Sequence, residues 1–201
     1  MSSLITERSV LKTAPAAEPL TVAELKLHLR VTGSADNDYI TSLGTAARRR
    51  VEEITGRALI NQTWYLYADE WPSCDRFRLP KAPLSSVTSV TYYDTDGTQN
   101  TFSASSWDPD TNATPGEVVL TYGSVWPSTT MRPNSPIVIE YVAGYGASGS
   151  SVPEELKQAI YLMVGLWYAY REPVVTGSIV SQVPDIIPDL LAPYTVEWWR
   201  P

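Results

Sequence analysis

The clearest pattern in the sequence is an apolar stripe with helical spacing in the first third of the chain. Its members lie three or four residues apart and so share one face of a helix: Ile40, Leu43, Ala47, Val51 and Ile54. Acidic and amide side chains in residues 34–38 can satisfy the free N–H groups at its start. Gly56 supplies the left-handed residue that commonly ends a helix. The pattern predicts a long helix that ends at Gly56.

Further helices are predicted on both sides of a long central region. Thr21 and Glu24 have the spacing of a capping box, which places a short helix from residue 20 to about residue 30. A third helix is expected after Ser151, which can cap it, with Pro153 in its first turn. A short amphipathic piece, residues 185–191, follows a loose segment rich in Val, Ser and Pro. The sequence thus predicts three main helices and a short C-terminal one.

From residue 58 onward the spacing changes to the two-residue period of β-strands. Runs rich in β-branched and aromatic residues occupy residues 63–67, 76–79, 87–93, 98–104, 118–122 and 137–142. Asp96 and Gly97 mark a hairpin turn between the third and fourth runs. Short strands separated by proline-rich loops predict a small antiparallel β-sandwich or barrel-like module, inserted between the helices.

Together these patterns predict an α+β fold: a small helical bundle interrupted by an antiparallel β-module. Residues 1–19, where Ser, Thr, Ala and Pro show no clear periodicity, are expected to be an extended N-terminal arm. Residues 20–57 and 151–172 are expected to form the helical body, and residues 58–145 the β-rich insert. Residues 173–201 are expected to be an extended C-terminal arm.

The composition describes a globular protein and argues against one that binds nucleic acid through its phosphates. The 201 residues are 43% hydrophobic and 18% charged, with 7 Trp and 12 Tyr, aromatic residues that suit protein contacts. A formal net charge of −7 is the opposite of the basic surface that phosphate binding needs. The single cysteine, Cys74, excludes an internal disulfide framework and a cysteine-based zinc site. We see no signal-peptide core, and the longest apolar run, residues 159–170, is too short to span a bilayer.

Candidate catalytic and metal-binding residues are few. His28 is the only histidine, so a hydrolase would have to be built around it and an acidic partner, yet no nucleophile motif adjoins it. A structural or solvent-facing histidine is favoured. Residues 94–97, DTDG, open like a calcium loop, but the twelfth position of that loop is Ser105, where an acidic ligand is needed. A hairpin turn is favoured, and we expect no enzyme, metal or cofactor.

Charged residues of the long helix are candidates for subunit contacts. Arg48 with Glu52, and Arg49 with Glu53, are one helical turn apart, which predicts ion pairs on the outer side of the helix. Because these glutamates balance the arginines, a solvated face or a subunit contact is favoured over a phosphate site.

The end of the chain holds a second candidate contact. Tyr194, Trp198 and Trp199 lie beyond the last predicted helix, followed by Arg200. Two adjacent tryptophans in water are an exposed apolar liability. They are expected to be covered either by the protein's own fold or by another chain, since Trp and Tyr are favoured interface anchors.

Five sequence blocks, taken in order, resemble the head–tail connector (adaptor) proteins of long-tailed phages and gene transfer agents. They are residues 19–31 (PLTVAELKLHLRV), 46–64 (AARRRVEEITGRALINQTW), 79–87 (LPKAPLSSV), 141–146 (YVAGYG) and 152–160 (VPEELKQAI). The resemblance covers roughly residues 19–172. No block is catalytic, and their order and spacing carry the resemblance. The simplest helical members lack a β-insert as large as residues 60–142.

The resemblance implies a non-enzymatic protein of the virion neck, made in the host cytoplasm. Such adaptors assemble under the portal as a ring, usually of twelve subunits, around the channel through which DNA passes without specific binding. The resemblance implies a C-terminal segment that docks on the portal, here Tyr194, Trp198, Trp199 and Arg200, and a second side that meets stopper or tail proteins. A closed ring needs contacts between two different faces of identical subunits, for which Arg48, Arg49, Glu52, Glu53 and the β-insert are candidates.

One alternative from a different functional class remains open, a carbohydrate-binding β-module. Four tryptophans of the insert could form a platform on which sugar rings stack: Trp64, Trp71, Trp107 and Trp126. This alternative requires that they line one exposed face.

Overall fold

The structure, a computed structural model, describes residues 7–170 and 186–196. The helices in this part of the chain are α1 (Val22–Leu29), α2 (Asn37–Thr55), α3 (Glu154–Ala169) and α4 (Ile186–Leu191). The strands are β1 (Arg8–Thr13), β2 (Gln62–Ala68), β3 (Arg76–Arg78), β4 (Leu84–Tyr93), β5 (Gln99–Thr101), β6 (Trp107–Asp110), β7 (Glu117–Leu120) and β8 (Ile137–Ala143). The fold is α+β, as the sequence predicts.

Local sequence signals fix the start of α1 and the end of α2 where they were predicted. The Glu24 backbone N–H donates to Thr21 Oγ1 at 3.2 Å, and the Thr21 N–H donates back to the Glu24 carboxylate at 2.7 Å, which completes the capping box. Gly56 ends α2 in the left-handed conformation, with a φ of 69°. The start of α3 differs from the prediction: Ser151 lies in a preceding 3₁₀ turn, Gly149–Ser151, and the helix begins at Glu154 without a side-chain cap.

The strands form two antiparallel sheets. The larger sheet has the order β1-β2-β8-β4-β5, and the smaller has the order β3-β7-β6. The predicted hairpin between β4 and β5 is confirmed, with Gly97 at a φ of 79° in its turn. Antiparallel pairing throughout agrees with the predicted β-module.

Two strands lie outside the predicted strand runs. Residues 8–13, expected to be part of an arm, form the edge strand β1, which pairs with β2 from Arg8 opposite Tyr67 to Leu11 opposite Trp64. Residues 107–110, which lie between two predicted runs, form β6 at the edge of the smaller sheet. Pro109 lacks an N–H and is tolerated there because an edge strand leaves one row of backbone groups unpaired.

The apolar side chains form two buried clusters. The first joins the four helices and includes Leu25, Ile40, Val51, Leu156 and Leu191. The second lies among the strands of both sheets and includes Leu66, Phe77, Val118, Ile139 and Tyr141. The sheets therefore pack on each other around their own core, beside the helical body.

The C-terminal segment differs from the expected extended arm. Residues 186–196 return to the helical body, where Leu191 and Val196 are buried. The Val196 N–H donates to the carbonyl of Thr55 at the end of α2, at 3.0 Å. Of the predicted portal contacts, Tyr194 lies within the described residues, whereas Trp198, Trp199 and Arg200 lie outside them.

Candidate interaction surfaces

Arg48 and Glu52 pair as predicted, but inside the subunit and not on its outer side. Their exposed fractions are 5% and 9%, and Arg48 Nη1 lies 2.6 Å from Glu52 Oε2. Glu18 completes the cluster, because its Oε2 accepts a hydrogen bond from Arg48 Nε at 2.7 Å. The expected position on the outer side of α2 is therefore wrong for these two residues.

Glu52 also ties α2 to the start of β2. Its Oε1 accepts hydrogen bonds from the Leu59 N–H at 2.9 Å and from the Gln62 side-chain amide at 2.5 Å. Burial raises the pKa of the Glu52 carboxyl above its ordinary value, and the Arg48 charge counteracts part of that rise. The cluster thus joins the helical body to the larger sheet and is engaged within one chain.

Arg49 and Glu53 remain on the surface of α2. Both side chains are exposed, and Glu53 pairs with Arg50 at 2.9 Å rather than with Arg49. An exposed pair of this kind adds little stability. These side chains are accessible to a neighbouring chain, in contrast to Arg48 and Glu52.

Tyr194 is held by contacts within the subunit. Its hydroxyl donates to Glu155 Oε2 at 2.9 Å, and its carbonyl accepts from Arg57 Nε at 2.5 Å. The Arg57 guanidinium lies 5.8 Å from the centre of the Tyr194 ring and 6.0 Å from that of Tyr145. The hydrogen bond to Glu155 raises the pKa of the Tyr194 hydroxyl. These contacts fix the position at which the last residues of the chain begin.

An open depression of ≈ 370 Å³ adjoins that position. Thr195 and Val196 line it on one side. Arg78 and Glu117 of the smaller sheet, with Pro115 of the loop before β7, line the other. The C-terminal end of the described chain therefore lies where the helical body meets the β-module.

The four tryptophans of the alternative hypothesis do not form one exposed platform. Trp107 is buried with an exposed fraction of 6%. Trp71 and Trp126 stack on each other, with ring centres 5.0 Å apart and an angle of 10°, and pack against Phe77 and Phe102. Trp64 belongs to the larger sheet, where Lys81 lies over its ring. The four tryptophans therefore do not line one exposed face, which a carbohydrate-binding module would require.

The remaining candidate sites have structural explanations. Asp94 Oδ1 accepts hydrogen bonds from the N–H groups of Asp96 and Thr98, so it closes the hairpin turn, and the described residues contain no cluster able to hold a metal ion. His28 is exposed and lies against Tyr161, with ring centres 5.0 Å apart. No helix in the described part of the chain is long and apolar enough to cross a membrane.

The structure reveals one surface feature that the sequence analysis missed, the turn at residues 121–125 after β7. Tyr122 is fully exposed, and Val125 has an exposed fraction of 76%. Gly123, at a φ of 80°, gives the turn its conformation, and the Ser124 N–H closes it on the Thr121 carbonyl at 3.0 Å. A Tyr-Gly-Ser sequence after a strand signals a turn, but sequence alone does not show that its apolar side chains stay uncovered.

Residues 19–113 match the model of a family described as phage gp6-like head-tail connector proteins. This part of the chain, just under half of its length, is therefore similar to head–tail connector proteins. It contains α1, α2 and strands β2 to β6, and therefore both the Arg48–Glu52 pair and much of the β-module. No curated protein matches the sequence.

Solved structures extend the similarity to nearly the whole chain. A chain in the neck of an empty gene transfer agent (GTA) particle, determined with C6 symmetry, is 28% identical with a TM-score of 0.77, over 94% of this chain and 95% of that chain. A chain of the virion of a native GTA particle is 28% identical with a TM-score of 0.75, over the same shares. A chain in the neck of a native GTA particle, determined with C12 symmetry, is 25% identical with a TM-score of 0.72, over 93% and 95%.

Proposed function

We propose that this protein is a structural, non-enzymatic adaptor in the neck of a tailed phage or gene transfer agent particle. In this role it docks on the portal and connects it to stopper or tail proteins. The observation that carries the proposal is the similarity to a GTA neck chain over 94% of this chain, with a TM-score of 0.77. Because the similarity spans helical body and β-module together, it concerns the whole arrangement and not a common substructure.

The adaptor forms a closed ring of identical subunits, twelve in number. Support comes from the C6 and C12 symmetries of the similar neck structures. A closed cyclic ring needs two different faces that bind each other. The exposed Arg49 and Glu53 are candidates for one such face, whereas Arg48 and Glu52 act by holding the subunit together.

DNA passes through the centre of this ring without specific binding. The support is the formal net charge of −7, since an acidic wall repels the phosphate backbone and does not retain it.

The last residues of the chain dock on the portal. Tyr194 takes part indirectly: its contacts with Arg57 and Glu155 set the place from which Trp198, Trp199 and Arg200 continue. Two tryptophans and an arginine are the residue types that dominate binding energy in protein interfaces. This placement supports a short portal anchor that begins at a fixed position on the subunit, next to Tyr194.

Electron microscopy of the native particle tests the proposal. A fusion of the chain to a small density tag at residue 1 should add one ring of extra density directly below the portal. The same tag on a tail-tube protein is the matched control, and it should add density further down. Tag density at the tail tip, or absence of the chain from purified particles, would refute the adaptor role.

A further inference from the structure

We infer that the turn at residues 121–125 of one subunit inserts against an apolar surface between α1 and α3 of the next copy in the ring. This inference rests on the proposed ring and adds which two surfaces form its subunit contact. We call the two surfaces the tyrosine turn, residues 121–125, and the helical face, formed by Leu27, His28, Leu162, Gly165 and Leu166.

Hydrogen bonds and ring stacking hold both ends of the tyrosine turn. Thr121 donates from its N–H to the Ser106 carbonyl at 3.1 Å and from its hydroxyl to the Ser105 carbonyl at 3.1 Å. Immediately after the turn, Trp126 Nε1 donates to the Cys74 carbonyl at 2.8 Å, and its ring stacks on Trp71. Because both ends are anchored, the backbone of the turn loses little conformational freedom when its exposed side chains bind.

Exposure of Tyr122 and Val125 on such an anchored turn is unfavourable in an isolated subunit. Tyr122 is fully exposed, and Val125 is 76% exposed. Large apolar side chains that remain in water together on a fixed support are typical of protein contact sites. Tyrosine in particular provides a large contact area with few rotatable bonds and can bury its ring while its hydroxyl finds a partner.

The helical face presents a complementary apolar surface. His28 on α1 lies over α3, where its ring contacts Tyr161 and borders Gly165, whose missing side chain keeps the surface low. Leu27 and Leu166, each next to one of these residues in its helix, have exposed fractions of 81% and 52%. Leu162 is half-buried one helical turn before Leu166 on α3. Exposed and half-buried apolar side chains thus lie on both α1 and α3, next in sequence to the residues of their contact.

Charge complementarity selects a second copy of this chain as the occupant. The exposed carboxylates of Asp75 and Asp108 flank the base of the tyrosine turn: the Asp75 carbonyl accepts from the Leu120 N–H, and Asp108 pairs with Val119 across the strands. Lys26 and Arg30 lie at the C-terminal end of α1, on either side of Leu27 along the chain. Arg76, opposite Val119 on the other side of β7, is neutralised by Glu117 at 2.8 Å, and the Glu24 carboxylate on α1 is held by the Thr21 N–H at 2.7 Å. The surplus charge is therefore negative at the turn and positive beside Leu27.

Two such surfaces on one chain meet the geometric requirement of a ring. The tyrosine turn follows β7 in the smaller sheet, whereas the helical face lies on the helical body, so the two are different faces of the subunit. Binding of one to the other is heterologous, and repetition around an axis closes a ring.

Site-specific photo-crosslinking in assembled particles tests the contact. The variant carries p-benzoylphenylalanine in place of Tyr122, and the products are identified by mass spectrometry. We expect covalent dimers of this chain that join residue 122 to peptides containing residues 22–30 or 158–170. The same probe in place of Thr95, exposed in the β4–β5 turn, is the matched control and should not reach the helical face. Crosslinks from residue 122 to a different protein, or none in particles that contain the chain, would overturn the inference.

A pair of substitutions provides a second measurement. Tyr122→Asp should leave thermal unfolding of the isolated subunit unchanged, because the side chain is fully exposed, and should reduce the yield of tailed particles at least tenfold. Tyr122→Phe keeps the ring and should retain most of the yield. Wild-type yield with Tyr122→Asp would overturn the contact while leaving the adaptor role intact, since tagged density below the portal reports that role separately.

Discussion

Arg48 and Glu52 are one helical turn apart on α2 and form an ion pair that is buried inside the subunit, with 2.6 Å between Nη1 and Oε2. Glu18 holds the other side of the arginine, and the Leu59 N–H and the Gln62 amide hold the other oxygen of Glu52. Charges removed from water need such full sets of partners. The pair therefore serves to join segments of one subunit, which differs from the subunit contact that its sequence suggests.

Loss of Glu52 should destabilise the subunit strongly. Glu52→Ala leaves Arg48 buried with one partner fewer and leaves the Leu59 N–H and the Gln62 amide without their acceptor. We expect the free energy of unfolding to fall by about 3–5 kcal/mol, as measured by urea denaturation.

Glu53 provides the matched control for that experiment. It is the neighbouring residue, and its pair with Arg50 is exposed, with side-chain exposures of 70% and 55%. Glu53→Ala should change the free energy of unfolding by no more than about 0.5 kcal/mol. If both substitutions lowered the free energy of unfolding equally, the buried cluster would not be what stabilises the subunit.

The pairing of Arg48 with Glu52 was predictable because a spacing of four residues places both on one helix face. Their burial was not, because it depends on Glu18 and on strand β2, which pack against that face from elsewhere in the chain. Strand β1 was missed for a related reason. Its side chains are mostly exposed, so they show no alternating pattern, and pairing with β2 determines its conformation.

Signals contained within a few residues were more informative. The capping box of Thr21 and Glu24, the end of α2 at Gly56 and the β4–β5 hairpin were all read correctly from local sequence. The turn at residues 121–125 shows the limit of this approach. Tyr122 is exposed because no other described part of the folded chain packs over it, and local sequence does not show this.

The capping box gives a pH-dependent prediction. The hydrogen bonds from Thr21 lower the pKa of the Glu24 carboxyl below its ordinary value of 4.5. Its contribution to stability is therefore present above that pH and is lost as the pH falls through the lowered pKa. Thr21→Ala should cost about 1 kcal/mol of unfolding free energy at pH 7, and the difference from wild type should shrink at lower pH. A difference that stays constant or grows on acidification would contradict the role of the ionised Glu24.

Gly144 is required at the junction between β8 and the segment that leads to α3. It has a φ of 147°, and a Cβ at this position would lie 2.5 Å from the backbone nitrogen of Asn61. Gly144→Ala should therefore destabilise the subunit by roughly 1–3 kcal/mol, measured by thermal unfolding. Gly33→Ala is the control, because nothing lies within 4 Å of its added Cβ, and it should be neutral or slightly stabilising.

Two truncations separate portal docking from folding. Removal of residues 197–201 deletes Trp198, Trp199 and Arg200 but keeps the contacts of Tyr194 and the buried Val196. We expect this variant to unfold at the wild-type temperature, while DNA-filled heads accumulate without tails.

Removal of residues 186–201 should give a different result. It also deletes Leu191 from the helical core and Val196 from its contact with Thr55, and loss of one buried leucine side chain typically costs 2–5 kcal/mol, so we expect a loss of about that size or more. This variant should therefore be destabilised before any question of docking arises. If the shorter truncation still yields tailed particles at wild-type levels, the portal contact does not depend on the terminal tryptophans.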